Sequence, residues 1–440
     1  RAGAVEHARR AAALDADEEG AQVRLAALRE RAAAAALPTP PGMPAIADAR
    51  GTTPRGRVTV APFQNLTGDP TLDFVGRLAC DAIARGVLES RTVEVITADH
   101  ADTAASAGLL VTGCYFLHDD AWRFEARIGA PGGRVLDTID AVTAPRTRPL
   151  DAAEELRRRI TGTLAGRLDP RFASWADAVA QAPDLDAHQE LALGVERHLQ
   201  GDYQAALPHF LRAAAARDGF TLPALWAVQA CCNLHEWERA EAILAELTAR
   251  SRRGRLSAFE QLGCDYYVAC LDGRHGTALR IARAAAELVP DTEVLSQLGR
   301  EAIFCNQPRA AIEALERLHP GRGWIPSWTP YWRRLTEAHH MLGEHGRELE
   351  AARRGRAHHP EAMSALLYEA RALAALGEVD AVARCADEAC TLRADRFADA
   401  GTLLLEVARE LRAHGHEAEG VALALRAVAT YRDADGQHER

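Results

Sequence analysis

A recurring turn constrains this chain more than any other feature. Gly201, His235, Gly273, Asn306, Gly343, Gly377 and Gly415 stand 34, 38, 33, 37, 34 and 38 residues apart, with helical apolar periodicity on either side. A period this short holds one helix–turn–helix unit. Such a unit cannot bury its apolar stripe alone, so neighbouring units must stack. Five residues past each turn come Ala206, Ala240, Ala278, Ala311, Glu348, Val382 and Gly420, where small side chains let two helices approach closely. Four residues later come Phe210, Leu244, Ala282, Leu315, Ala352, Ala386 and Ala424. Phe210, Leu244 and Leu315 can fill the gap to the next repeat; the four alanines cannot. Gly194 and Gly299 take the close-packing point of the first helix in the first and fourth units. Pro290, Pro320 and Pro360 end second helices, since proline has no amide to continue the ladder.

The chain before Asp186 reads differently. The length of 440 residues suits about three domains of ~150 residues. Residues 1–36 carry helical Ala/Leu/Arg spacing, and the prolines and glycines of 37–56 read as a linker. Arg57–Ala61 alternates with β-branched residues, a strand signal. A turn-rich loop leads to an amphipathic helix over Phe74–Leu88, for which Asp73 is an available N-cap. Strands are expected at Val93–Ile96, Leu109–Phe116, Trp122–Ile128 and Val135–Val142, and a helix at Leu150–Leu168 closes the unit. The expected organisation is therefore multidomain: a helical remnant (1–36), a linker (37–56), a small α/β domain (57–170), and an all-α superhelical solenoid of about seven helix pairs (186–433).

Composition removes several chemistries. All 52 basic side chains are arginine, so a Walker-type phosphate loop, a protein kinase centre or a Schiff base cannot be built within these residues. The net charge of −10 offers no basic footprint for nucleic acid. No apolar run approaches the ~20 residues that cross a bilayer. The nine cysteines form no C-x-x-C pair and read as free thiols of a reducing, cytoplasmic compartment. The first residue is Arg1 rather than Met, which reads as a piece of something longer.

The repeat residues resemble the tetratricopeptide family over 187–433. Val58-Thr59-Val60-Ala61-Pro62-Phe63-Gln64-Asn65-Leu66-Thr67-Gly68-Asp69-Pro70, followed by Leu72-Asp73-Phe74, resembles the start of the TolB-type amino-terminal domain, and Val111-Thr112-Gly113 fits the same pattern. That resemblance implies no catalytic residue, no cofactor and a role in assembly and protein contact. It also implies the setting of a bacterial multidomain regulator, with a DNA-binding, activation or kinase module upstream. Residues 1–36 look similar to the last repeat of such an activation module.

Other candidate chemistry is sparse. Asn65, Thr67 and Asp69 could line a ligand loop, but the same residue types build turns through side-chain bonds to the backbone. His339, His340 and His345 do not read as a metal set. The first two point about 100° apart on a helix, and His345 lies past the turn at Gly343. No G-x-S-x-G elbow occurs. The favoured reading is a non-enzymatic scaffold or sensor that binds a protein or peptide in the concave groove of its first helices. The α/β unit would be a second contact or dimerisation surface. The groove positions are Gln229, Asn233, Tyr267, Arg300, Arg333, Glu337, His340 and Arg371. Three arginines about one repeat apart suit bidentate bonds to the carboxylates of an acidic peptide. The alternative at those positions is pairing with Glu337, Glu301 or other local acids. The alternative function is a small-ligand or enzymatic α/β domain with the repeats recruiting its partner.

Overall fold

The computed structural model describes residues 56–89, 93–97, 108–130, 133–169, 171–253, 255–290, 292–318 and 328–438. The helical remnant and nearly all of the linker expected before the first strand lie outside them. The chain divides into two compact units, Arg1–His198 with Tyr203–Cys264, and Leu199–Asp202 with Asp265–Arg440.

The α/β part belongs to the first unit. Its elements are β1 (Gly56–Val60), β2 (Gln64–Asn65), α1 (Asp73–Glu89), β3 (Val93–Thr97), β4 (Leu109–His118), β5 (Ala121–Gly129), β6 (Val135–Pro145) and α2 (Pro149–Leu168). Only β2 lies outside the expected elements, because two residues are too few to show a period of two. The sheet runs β3-β1-β4-β5-β6, with β2 beside β4. β1 is parallel to both its neighbours, whereas β4, β5 and β6 are antiparallel. On β5, Trp122, Phe124, Ala126 and Ile128 are buried and the residues between them are not, as expected of a strand covered on one face. α1 and α2 pack on each other and on the sheet. Together they enclose a core that includes Val58, Val60, Ile83, Val111, Tyr115, Leu156 and Ile160. Gly113 is required in β4, since a Cβ there would stand 2.2 Å from the Phe63 ring.

The loop after β1 closes on itself. Asn65 Nδ2 donates to the Asp69 carbonyl at 2.8 Å and to Asp73 Oδ1 at 2.7 Å. Asn65 Oδ1 accepts from the Thr67 amide at 2.9 Å and the Thr67 hydroxyl at 2.6 Å. Asp69, not Asp73, does the capping: it accepts from the Thr71 amide and caps the short 3-10 turn Pro70–Leu72. Asp73 is the first residue of α1 itself.

The remaining helices form seven hairpins. They are α3 (Leu185–Leu199) with α4 (Tyr203–Ala216), α5 (Leu222–Leu234) with α6 (Trp237–Ser251), and α7 (Ala258–Leu271) with α8 (His275–Leu288). Next come α9 (Val294–Phe304) with α10 (Pro308–Glu316), and α11 (Thr329–Met341) with α12 (His345–His358). The last are α13 (Met363–Ala375) with α14 (Val379–Ala389), and α15 (Ala400–Ala413) with α16 (Glu417–His438). All seven expected turn residues have positive φ, from 54° at Asn306 to 90° at Gly415. This left-handed region ends a helix and lets the chain reverse. Five of the seven are glycine, which enters it without steric cost. Among the described residues, no helix is long and apolar enough to cross a membrane.

Small residues seat large ones at the helix crossings. A Cβ on Gly194 would stand 2.6 Å from the Phe210 ring, and one on Gly299 would stand 2.8 Å from Leu315 Cγ. The fifth hairpin, where alanine replaces the bulky residue, inverts the arrangement. Trp332 on its first helix supplies the bulk, and Gly355 on its second supplies the space, 2.8 Å from Trp332 Cγ for an added Cβ. Gly194→Trp or Ala206→Trp is therefore expected to cost about 1–3 kcal/mol or more through overpacking, with nearest-neighbour coupling spreading the damage into the second hairpin. Thermal melts of the two variants test this: parent-like melting of either one would refute the register of the first repeat.

Candidate functional site

Within the second unit, the first helices α9, α11, α13 and α15 lie side by side in order. The charged residues along them gather around two buried carboxylates.

Glu301 on α9 is fully buried. Its Oε1 accepts from Arg300 Nε at 2.7 Å and from the Tyr266 hydroxyl at 3.1 Å, and its Oε2 stands 2.8 Å from His275 Nδ1. Arg300 Nη2 also donates to the Tyr266 hydroxyl at 2.8 Å. Burial pushes the Tyr266 phenol well above its ordinary range. Burial works against the Arg300 charge, but Tyr266 and Glu301 reverse that and hold the guanidinium protonated.

Glu348 on α12 is the second buried carboxylate. It occupies the position that Ala206, Ala240, Ala278 and Ala311 fill in earlier repeats. Its Oε1 accepts from Arg371 Nε at 2.8 Å. Its Oε2 stands 2.9 Å from His340 Nδ1 and 3.1 Å from His345 Nδ1. Burial works to raise the Glu348 carboxyl, but His340, Arg371 and His345 outweigh it and hold it below the usual carboxylate range. The hydrogen bond to Glu348 raises the His340 imidazole. The spacing argument that set His345 apart from His340 fails here because the chain reverses at Gly343. The reversal returns His345 to the same carboxylate.

The eight expected groove residues are distributed unevenly. Gln229 and Asn233 are half-buried on α5, in the first unit. The other six are in the second. Tyr267 is buried, and its hydroxyl accepts from Gln297 Nε2 at 3.4 Å. Arg300 and Arg371 serve Glu301 and Glu348. His340 shares Glu348 with Arg371. Arg333 and Glu337 are a loose pair at 3.8 Å with side chains 49% and 37% exposed, so solvent screens them.

Sequence reading misses Arg334. Its Nη1 donates to the Ser296 carbonyl at 3.1 Å and to the Ser296 hydroxyl, and its guanidinium lies 4.6 Å from the centre of the Trp328 ring. Among the described residues no carboxylate pairs with it. Burial, with Arg300 and Arg333 nearby, pushes it down to about 9. No spacing rule could have found this residue, because its hydrogen-bond acceptors belong to Ser296 on α9, 38 positions earlier.

No protein-family model matches the chain, and no curated protein does. Solved structures similar to it include MamA (14% identity, TM-score 0.25, covering 46% of this chain and 89% of that one). Another is a tetratricopeptide repeat protein from Parabacteroides merdae (11%, 0.34, 56% and 93%). A third is a signal transduction ATPase with a tetratricopeptide repeat sensor from Pyrococcus horikoshii (15%, 0.39, 64% and 46%). Likeness of that size carries no conclusion about this chain beyond the helical hairpins already described.

Proposed function

We propose that this chain is a non-enzymatic interaction module that binds a protein or peptide along its first helices. The observation that carries this reading is Arg334: a guanidinium without a carboxylate partner among the described residues, beside the exposed Arg333, on a row of adjacent first helices. A half-buried positive charge with no carboxylate bonded to it is costly, and an incoming carboxylate offsets that cost. Acidic peptide is thus the favoured ligand, although the chain itself carries a net charge of −10. The proposed setting is a scaffold or sensor segment of a bacterial cytoplasmic regulator, with residues 57–170 as a TolB-type contact domain and 186–433 as the binding array. The self-satisfied loop at Asn65–Asp73 favours contact over chemistry in that domain.

An acidic peptide library at low salt, where screening is weakest, tests the reading. Arg333→Ala/Arg334→Met is the suitable variant, because replacing Arg300 or Arg371 would take the guanidinium away from buried Glu301 or Glu348. The parent is expected to retain acidic peptides at least tenfold more tightly than this variant. Equal retention by both would remove Arg333 and Arg334 as the binding site.

A further inference from the structure

The fifth hairpin departs from its own repeat by placing a carboxylate where the packing rule asks for a small residue, and that carboxylate is ringed by imidazoles. We propose that His340, His345 and Glu348 form a binding site for a divalent transition-metal ion of the zinc class. Glu410 and Arg371 are its positioning residues.

The geometry is that of a set of ligands held in advance. One ligand atom each of His340, His345 and Glu348 lies within 4.8 Å of the other two. The carboxylate oxygen is 2.9 and 3.1 Å from the two nitrogens. Zinc bonds of about 2.0–2.2 Å in a tetrahedron hold ligand atoms roughly 3.3–3.6 Å apart, so the two carboxylate–imidazole distances open by only a few tenths of an ångström when the ion enters. On binding, the ion displaces any proton held between each imidazole and the carboxylate, and the ligands coordinate as neutral imidazole and carboxylate.

The outer groups are arranged to support it. Arg371 Nε holds Glu348 Oε1 at 2.8 Å, which leaves Oε2 facing the two imidazoles. Glu410 Oε2 stands 3.7 Å from His340 Nε2, on the ring nitrogen away from the ion, where a carboxylate commonly orients a metal-bound histidine. Glu410 Oε1 also meets His414 Nε2 at 2.9 Å, and the His414 ring lies 5.1 Å from the His345 ring. Two carboxylates against one guanidinium leave a net negative charge when the imidazoles are neutral, which favours a cation. Imidazole ligands select zinc-like ions over magnesium or calcium, which prefer all-oxygen shells. Glu348 is fully enclosed, whereas His340 and His345 are 28% and 17% exposed, so an ion has a path in and a fourth position open to water.

The test uses the full chain, stripped with a chelator. It is titrated with zinc by calorimetry, and with cobalt followed by visible absorption. One ion per chain is expected, with a cobalt spectrum free of thiolate charge transfer. His345→Gln is expected to bind at least tenfold more weakly, and His340→Gln/His345→Gln to bind none at the same concentrations. Glu410→Gln, which removes no ligand, is expected to weaken binding by about 10–100-fold. Metal-free melting of each variant serves as the check on folding. The site is overturned if the parent takes up no ion, if the double variant binds as the parent does, or if a thiolate band shows that cysteines hold the metal. Parent-like binding by Glu410→Gln would remove that residue's assigned role.

Discussion

Glu348→Ala is expected to destabilise the metal-free protein by about 3–5 kcal/mol, the usual cost of removing one partner from a buried ion pair. The carboxylate is fully enclosed, and the Arg371 side chain is only 19% exposed. Without Glu348, the Arg371 guanidinium loses its bond at 2.8 Å, and its Nη2 already has no hydrogen-bond partner among the described residues. Loss of helix packing is not the cause of the damage. Alanine is what four earlier repeats carry at this position, and the hairpin geometry accepts it. Glu348→Ala/Arg371→Met should therefore recover most of the loss, since both charges leave together. Denaturant unfolding of the two single variants and the double variant measures the coupling directly. Additive single effects would mean that the pair contributes nothing as a pair.

Gly162→Ala is expected to change sign with its surroundings. In α2, a Cβ at Gly162 would stand 2.1 Å from the Asp184 carbonyl carbon and 2.4 Å from the Leu185 amide nitrogen. Those are backbone atoms and cannot swing aside. Asp184 is itself fastened, accepting from the Ala187 amide at 2.9 Å and from Arg158 at 3.1 Å. In the full chain the substitution should cost about 1–3 kcal/mol by overpacking. In a fragment of residues 57–170 the three nearest obstructing atoms are gone. There alanine should stabilise by up to about 1 kcal/mol, because it replaces glycine inside a helix. Melting both forms, with and without the substitution, decides the matter. A fragment that fails to melt cooperatively would show that the α/β domain does not fold alone. A fragment that is destabilised like the full chain would show that the clash lies within the domain.

The repeat is legible in the order of the residues because its signals are local. A left-handed turn residue selects glycine or a tolerant substitute such as Asn306, and helical period and small-residue spacing mark the faces on either side. The α/β elements are legible for the same reason, since strand alternation and turn residues act within a few positions. Exceptions come where a segment is too short to show a pattern, as at Gln64–Asn65, or where two acids compete for one role, as at Asp69 and Asp73. The inverted crossing of Trp332 on Gly355 also escapes, because bulk can be supplied from either side of a helix pair.

The charged site is decided by packing. Spacing along the chain identifies Arg300, Arg333, His340 and Arg371 as lying on first helices, but it carries no distance between one helix and the next. Whether an arginine faces solvent or a buried glutamate depends on that distance. So does the convergence of His340 and His345, which are five residues apart and meet only because the chain turns back at Gly343. Arg334 and Glu348 each also bond to a residue far along the chain, 38 and 23 positions away, across helix interfaces. Backbone conformation is set by each residue and its near neighbours and is written in the order of the chain. Burial and pairing of charge are properties of the assembled helices, and only their packing settles them.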